Sequence, residues 1–242
     1  MPVNPKIELS IIIPVYNEVD NVAALYQEIE QSLSPEQYTY EVLFVDDGSQ
    51  DGTVERLREL QKIHPRLRGI YHQRNYGQSA ALLTGARAAT YSMLVTMDGD
   101  GQNDPKDIPL LFAACNDNKT VVLGNRKKRD DNAIRKLSSR IGNGVRQSIL
   151  RDDCPDTGCS LKLFPKEAFL ALPHFNHLHR YLPALFRREG YTLVNIPVNH
   201  RQRVHGTSKY GVMNRLFVGI HDLIGVRWLL KRPCKSEVRV YE

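Results

Sequence analysis

Residues 41–63, EVLFVDDGSQDGTVERLRELQKI, hold a whole strand–turn–helix unit. Glu41–Val45 is a short β-branched and aromatic run, the composition of a strand. Val54, Leu57 and Leu60 then recur at three-residue spacing, which predicts a helix over Thr53–Ile63 with one apolar face. Asp51-Gly52-Thr53 supplies N-cap chemistry and Pro65 follows the helix end. Between strand and helix lie two adjacent acids, Asp46 and Asp47. Neighbouring carboxylates repel, so this pair points to ligand polar groups or a cation as partners; a solvated turn is the other reading.

The same alternation extends outward. Strands are expected at Leu9–Pro14, Leu67–His72, Met93–Met97 and Thr120–Leu123, with helices at Val22–Leu33 and Ser79–Ala89. Repeated βα units predict an α/β fold with a mostly parallel sheet, and ligands at the carboxyl ends of its strands. The second half is less regular. It reads as helices over Ala133–Leu150, Leu178–Glu189 and Val212–Lys231, strands at Gly158–Phe164 and Tyr191–Val198, and a polar loop at Arg201–Tyr210. No repeat and no Pro/Gly/Ser linker divides the chain, so one domain is expected over residues 1–242.

The 242 residues are 41% hydrophobic and 25% charged, the balance of a globular protein and not of a disordered one. The net charge of +6 hides an asymmetry. Residues 1–121 hold 10 basic and 17 acidic groups, whereas residues 122–242 hold 23 and 10. Two jobs are implied, not one uniformly basic surface. Nucleic acid is excluded as a partner: no recognition motif is present, and acidic strand ends would repel a phosphate backbone. The four cysteines form no CxxC pair and no zinc-spaced cluster, which suits a reducing, cytoplasmic setting. The first residues lack the pattern of a signal peptide. The most apolar stretch, Leu216–Leu230, is broken by His221, Asp222 and Arg227, so no membrane span is expected.

Two further strand ends carry chemistry. Pro14-Val15-Tyr16-Asn17-Glu18 follows the first, either as a ligand-facing turn or as a plain entry to a helix cap. Asp98-Gly99-Asp100-Gly101-Gln102 follows the fourth. Carboxylates two apart, with only glycine between them, can converge on one hard cation. Mg²⁺ or Mn²⁺ takes such oxygen ligands and keeps bound phosphates in its shell; the alternative is a merely capping acidic turn.

Taken in order, PVYNE (14–18), VDDGSQDGT (45–53), RNYGQSAALLTG (74–85) and MDGDGQNDP (97–105) resemble the blocks of family 2 glycosyltransferases. Gly124-Asn125-Arg126, Asp156-Thr157-Gly158-Cys159 and Arg203-Val204-His205-Gly206-Thr207-Ser208-Lys209-Tyr210 resemble the polyprenyl-phosphate branch, that of dolichol-phosphate mannose synthases and bacterial undecaprenyl-phosphate glycosyltransferases. The likeness spans about residues 8–230.

The resemblance implies a GT-A (Rossmann-like) fold. Residues 1–121 would form the nucleotide-sugar and metal half, 122–210 the acceptor half, and 211–242 a C-terminal amphipathic helix and tail. It further implies that Pro14, Tyr16, Glu18 and one or both of Asp46 and Asp47 hold base and ribose. Asp98, Asp100 and Gln102 would bind Mg²⁺ or Mn²⁺, with Asp98, Gly99 and Asp100 lining the donor. Arg203 and Lys209 would clamp the diphosphate, and Arg126 and Arg140 would meet an acceptor phosphate. Asp100, Arg126, Arg203 and Lys209 are the implied catalytic set. Gly99, Gly101 and Asn125 depart from the alanine, leucine and serine often seen there, which leaves the sugar pocket open. The Gln/Arg-x-x-Arg-Trp motif of processive synthases is absent, which disfavours polysaccharide synthesis.

The expected reaction is inverting, metal-dependent transfer of a hexosyl group from a nucleotide-diphosphate sugar to a polyprenyl phosphate. The alternatives are transfer to a saccharide or protein hydroxyl, and a non-catalytic scaffold. A hydroxyl acceptor needs a general base. A lipid monophosphate, with its second pKa near about 6, needs only orientation. Seven cations stand within the 15 positions Arg126–Arg140, and no second carboxylate dyad appears. The last helix, Val212–Lys231, has an apolar stripe flanked by Arg215, Arg227 and Lys231. It either lies on an anionic membrane surface or packs on the core; a separate membrane partner is the other route to lipid. The cytoplasmic face of a membrane is the expected location. His72, His174 and His200 read as packing or surface residues, and Trp228 as a helix anchor.

Overall fold

The β-branched runs assemble into a seven-stranded sheet in the computed structural model of the chain, which describes residues 6–126, 144, 146–202 and 212–232. Strands β1 (Ile7–Val15), β2 (Tyr38–Asp46), β3 (Leu67–Tyr71), β4 (Met93–Thr96), β5 (Thr120–Arg126), β6 (Lys162–Pro165) and β7 (Thr192–Val198) lie in the order β3-β2-β1-β4-β6-β5-β7. All pairs are parallel except those of β6, which runs against both β4 and β5. The carboxyl ends of β1, β2, β4, β5 and β7 therefore open on one edge.

Helices α1 (Val22–Ser32), α2 (Thr53–Ile63) and α4 (Ile108–Ala113) accompany one layer of core, and α3 (Gln78–Ala88), α5 (Lys166–Leu170) and α6 (Leu182–Arg188) the other. Ile11, Ile13 and Phe44 belong to the first cluster; Ile12, Leu43 and Val45 belong to the second. Alternate residues of one strand thus serve opposite faces, and burial of both faces explains why β1 and β2 read as unbroken apolar runs. Helix α3 packs tightly on the sheet at Gly85. A Cβ on Gly85 would stand 2.5 Å from Ile12 Cγ2 and 3.1 Å from Val45 Cγ2. In β2, Glu41 is buried among Ser10, Arg68 and the Thr90 amide. Burial pushes its carboxyl up, but these hydrogen bonds outweigh that and hold it below its ordinary value.

The expected elements hold in the first half, with α2 at its expected bounds. Its cap differs in detail: Gly52 occupies the cap position in a left-handed conformation, and Asp51 one residue earlier accepts from the Thr53 amide. The expected helix over Leu178–Glu189 is instead a 3-10 turn, Leu178–Arg180, followed by α6. Pro183 falls in the first turn of α6, where a missing N–H costs nothing. The strand expected from Gly158 begins only at Lys162. α4 and α5 were not expected; six and five residues are too short to show a helical period. Of the helix expected over Ala133–Leu150, residues 146–150 are helical; residues 133–143 lie outside those described, as does the loop from Arg203 to Tyr210. Helix α7 (Val212–Leu230) forms as expected. Among the described residues, no helix is long and apolar enough to cross a membrane.

Because α3 has no room at Gly85, Gly85→Val is expected to lower stability by about 1–3 kcal/mol through overpacking. Denaturant unfolding would check this; an unchanged midpoint would mean that the sheet yields to the added methyls.

Candidate functional site

The loops after β1 and β2 interlock at the open edge. Asn17 adopts a left-handed backbone (φ 54°); its amide donates to Ser49 Oγ at 2.7 Å, and its Oδ1 accepts from the Gln50 amide at 2.8 Å. The Glu18 amide donates to Thr53 Oγ1 and the Val19 amide to Asp51 Oδ2. Pro14, Tyr16 and Glu18 are partly buried along this seam. Glu18 Oε2 accepts from Asn21 Nδ2 at 2.6 Å, at the start of α1.

The two acids of β2 part company. Asp47 accepts from the Tyr76 amide at 2.9 Å, the Gly77 amide at 2.7 Å and the His72 ring, whose other nitrogen meets Thr84 Oγ1. Its carboxylate is occupied within the protein. Asp46 is wholly buried; its Oδ2 accepts from the Gly48 and Ser49 amides, but its Oδ1 has no partner. A buried acceptor left unsatisfied is unusual, and of the pair Asp46 is the one that keeps an uncommitted oxygen. His72, read from sequence as a packing residue, is the bridge that holds Asp47.

Behind β4, Asp98 and Asp100 share the MDGDGQ turn. The Asp98 amide is held by Asn103 Oδ1 and Ser160 Oγ, and its Oδ1 accepts from Gln78 Nε2 at 2.8 Å. Asp100 is buried, with Oδ1 accepting from the Gln102 amide. A Cβ on Gly99 would stand 2.5 Å from Val15 Cγ1, so glycine lets this turn press against the end of β1. Burial and the adjacent Asp100 carboxylate raise Asp98 above the ordinary carboxylate range, though Ser160, Lys162 and Arg126 pull the other way. Two enclosed carboxylates that repel each other fit a divalent cation, which would relieve that repulsion. Among the described residues no third His, Cys, Asp or Glu joins them. The Gln102 amide, whose Nε2 faces the Arg201 carbonyl, and phosphate oxygens remain as further ligands.

Arg126 ends β5 and makes a two-pronged ion pair with Asp156, Nε to Oδ2 at 2.6 Å and Nη2 to Oδ1 at 2.7 Å. Burial alone would lower the guanidinium pKa, yet Asp156 more than compensates and keeps it raised. The loop carrying Asp156 is braced by buried Arg146, which donates to Thr157 Oγ1 and the Cys154 carbonyl. Arg201 joins Asp104 at 2.6 Å and Glu28, and its amide donates to the Gln102 carbonyl. Asp107 accepts both amide groups of Asn199. These contacts tie the segment after β7 to the Asp98–Gln102 turn, just before Arg203. Arg140, Arg203 and Lys209 lie outside the described residues. Sequence reading did not single out Gln78, Asn103, Ser160, Asp107 or Arg201. The available signal was position: Gln78 lies in the RNYGQ block and Asn103 follows Gln102 directly.

Helix α7 packs inward with Val226, Leu223 and Leu230, as the core reading expected, but Ile224 and Trp228 are 65% and 57% exposed on another face. Trp228, read from sequence as a helix anchor, is exposed, and Arg232 lies over its ring at 5.3 Å. The inner end of α7 is fastened by His177 to Asp222 and by Tyr181 Oη to the Gly219 carbonyl. His179 nearby is half-buried and bonded to Ser79 Oγ, and desolvation, with Arg180, Lys162 and His177 adding to it, pushes its pKa down to about 3.

Residues 10–172 match the model of the family described as "Glycosyl transferase family 2". The chain is 34% identical over 217 residues to an undecaprenyl-phosphate 4-deoxy-4-formamido-L-arabinose transferase of Edwardsiella ictaluri, covering 89% of this chain and 66% of that protein. It is 33% identical over 231 residues to a dodecaprenyl-phosphate galacturonate synthase of Rhizobium johnstonii, covering 93% and 68%. The chain thus spans about two thirds of the length of these relatives. A mannosyltransferase from Pyrobaculum calidifontis, solved with GDP-Man and Mn²⁺, superposes with a TM-score of 0.66 at 20% identity, over 98% of this chain and 68% of that one. A glucosyl-3-phosphoglycerate synthase from Mycobacterium tuberculosis, solved with Mg²⁺ and UDP, gives 0.68 at 13%, over 92% and 79%. At these identities the structures establish the fold: the α/β architecture expected from sequence is that of the GT-A neighbours.

The His179 pKa makes stability depend on pH. Between about 6.5 and about 3 the unfolded chain binds a proton that the folded chain refuses, so this group's contribution is full above about 6.5 and is lost as pH falls. The expected slope is about 1.4 kcal/mol per pH unit for one proton. His179→Gln should flatten it in denaturant titrations at pH 7 and pH 5; an unaltered slope would refute the assignment.

Proposed function

The chain belongs to glycosyl transferase family 2, and within it we propose inverting, metal-dependent transfer of a hexosyl group from a nucleotide-diphosphate sugar to a polyprenyl phosphate. Undecaprenyl and dodecaprenyl phosphate in the names of the two relatives support the acceptor class. Asp46 Oδ1 would accept an N–H of the nucleobase, with Pro14, Tyr16 and Glu18 beside it. Asp98, Asp100 and Gln102 would hold Mg²⁺ or Mn²⁺. The bound cation would act as a Lewis acid and neutralise the leaving diphosphate. Arg203 and Lys209 would add two further positive charges over that diphosphate. The acceptor phosphate, already ionised, would need orientation and no base; Arg126 and Arg140 would provide it.

The observation that carries this reading is the Arg126–Asp156 pair. Asp156 belongs to the segment expected to meet the acceptor, where a hydroxyl acceptor would need a free base. Instead its two oxygens are gripped by one guanidinium, and a carboxylate so held is a poor proton acceptor. Asp156 engages the Nε–Nη2 edge of Arg126, so Nη1 is the donor that a phosphate oxygen would meet.

The test offers a panel of radiolabelled UDP- and GDP-sugars with Mg²⁺ or Mn²⁺ to undecaprenyl phosphate, followed by organic extraction. Lipid-soluble label from one donor is expected. Arg126→Ala should raise the KM for the acceptor by about tenfold or more, the scale of one charged contact. No lipid-soluble label from any donor would refute the acceptor class.

Contact with a membrane would come through the outer end of α7. Ile224 and Trp228 project beside Arg227, Lys231 and Arg232. An adjoining cavity of about 400 Å³ is lined by Ile149, Leu150, Arg151, Arg227, Leu230 and Lys231. Apolar tips among cations suit the interface of an anionic bilayer at the cytoplasmic face. Vesicles containing phosphatidylglycerol should sediment the protein, and Trp228→Ala should weaken this several-fold. Equal recovery of both proteins on anionic and neutral vesicles would point to a separate membrane partner instead.

A further inference from the structure

We infer that Gln78 is a positioning residue for the cation site, setting the orientation of the Asp98 carboxylate from the first turn of α3. The inference rests on the reading of Asp98 and Asp100 as metal ligands. Its basis is a single contact and the way that contact is built. Gln78 Nε2 donates to Asp98 Oδ1 at 2.8 Å, while the Asp98 backbone is held separately by Asn103 and Ser160. The main chain of Asp98 would thus stay in place without Gln78, but its carboxylate would lose the donor that fixes Oδ1 and keep only Ser160, with the charges of Lys162 and Arg126, to orient it.

Gln78 itself is placed with unusual firmness. The two amides before it, Tyr76 and Gly77, both donate to Asp47, and Gly77 has a φ of 91° that favours glycine. The residue after it, Ser79, is buried and bonded to His179. A primary amide is also the right donor electrically. It points an N–H at Asp98 without adding a cation that would repel a metal or an anion that would repel the carboxylate. Groups hydrogen-bonded to metal ligands commonly affect metal affinity by about 10–100-fold.

The test measures Mn²⁺ binding by electron paramagnetic resonance, with the metal alone and with UDP or GDP present. Wild type, Gln78→Met, Gln78→Asn and Asp98→Asn are compared, with a thermal melt of each. Met fills the volume of Gln without its donor, and Asn keeps the donor but is one methylene too short. Both variants are expected to bind Mn²⁺ about tenfold more weakly than wild type, at the lower end of that range, with melting midpoints unchanged. Wild-type affinity in Gln78→Met would overturn the inference, as would a loss of affinity matched by loss of folded protein. If wild type binds Mn²⁺ and Asp98→Asn binds it equally well, the metal reading fails, and the inference fails with it.

Discussion

The carboxylate of Asp47 closes the end of β2 onto the turn that begins α3, by accepting from two consecutive backbone amides and the His72 ring. A charge buried this deeply would cost several kcal/mol without such donors. With them it becomes a fixed joint, and its consequences spread. It sets where α3 starts, hence where Gln78 meets Asp98 and where Ser79 meets His179. Gly48, next in sequence, leaves no gap either, since a Cβ there would lie 2.5 Å from the Arg74 carbonyl carbon. The loops after β2, β3 and β4 are therefore one packed unit. A ligand at Asp46 and a cation at Asp98 would sit on the same rigid piece.

Excess charge is handled differently on the two sides of the site. In the acidic half, each carboxylate of the Asp46–Asp47 pair receives amide donors, with only Asp46 Oδ1 left over. At the Asp98–Asp100 pair, burial and the neighbouring Asp100 carboxylate outweigh the donors and cations around Asp98 and raise its pKa. In the basic half, many of the described arginines are not free positive charge. Arg126 pairs with Asp156, Arg146 with Asp152, Arg187 with Asp153, and Arg201 with both Glu28 and Asp104. The charge count along the sequence overstates the field that an acceptor would meet.

How much of this was legible in the sequence depended on range. α2 could be read to its ends because its period, its Asp51 cap chemistry and the proline beyond it all lie within the 15 residues Asp51–Pro65. The Asp98–Gln102 turn was equally local. What could not be read was which of two adjacent acids keeps an uncommitted oxygen. Neighbours in a strand point to opposite sides, and Asp47 finds its partners 25 to 30 positions away. The same distance hid Asp156 from Arg126, so a residue read as a phosphate ligand is also one half of an ion pair. Pro183 misled for a different reason: it looks like an interruption of one helix and is the start of another.

That ion pair bears on the order of events at the acceptor side. A guanidinium buried alone would be costly and would not hold one orientation; gripped along one edge by Asp156 it is neutralised and aimed before any substrate arrives. A phosphate dianion approaching it would meet an arginine already in place, with no side-chain ordering left to complete. The bracing of the Asp156 loop by Arg146 serves the same end, because a carboxylate that wandered would take the guanidinium with it. The sign change near residue 122 then marks two kinds of preparation within one fold. Carboxylates of the acidic half are left short of compensation, at Asp46 Oδ1 and Asp98, whereas Arg126 in the basic half is compensated by Asp156 and held in one orientation. Under the proposed function the first would draw in a cation and a base, and the second would offer a phosphate a geometry already set.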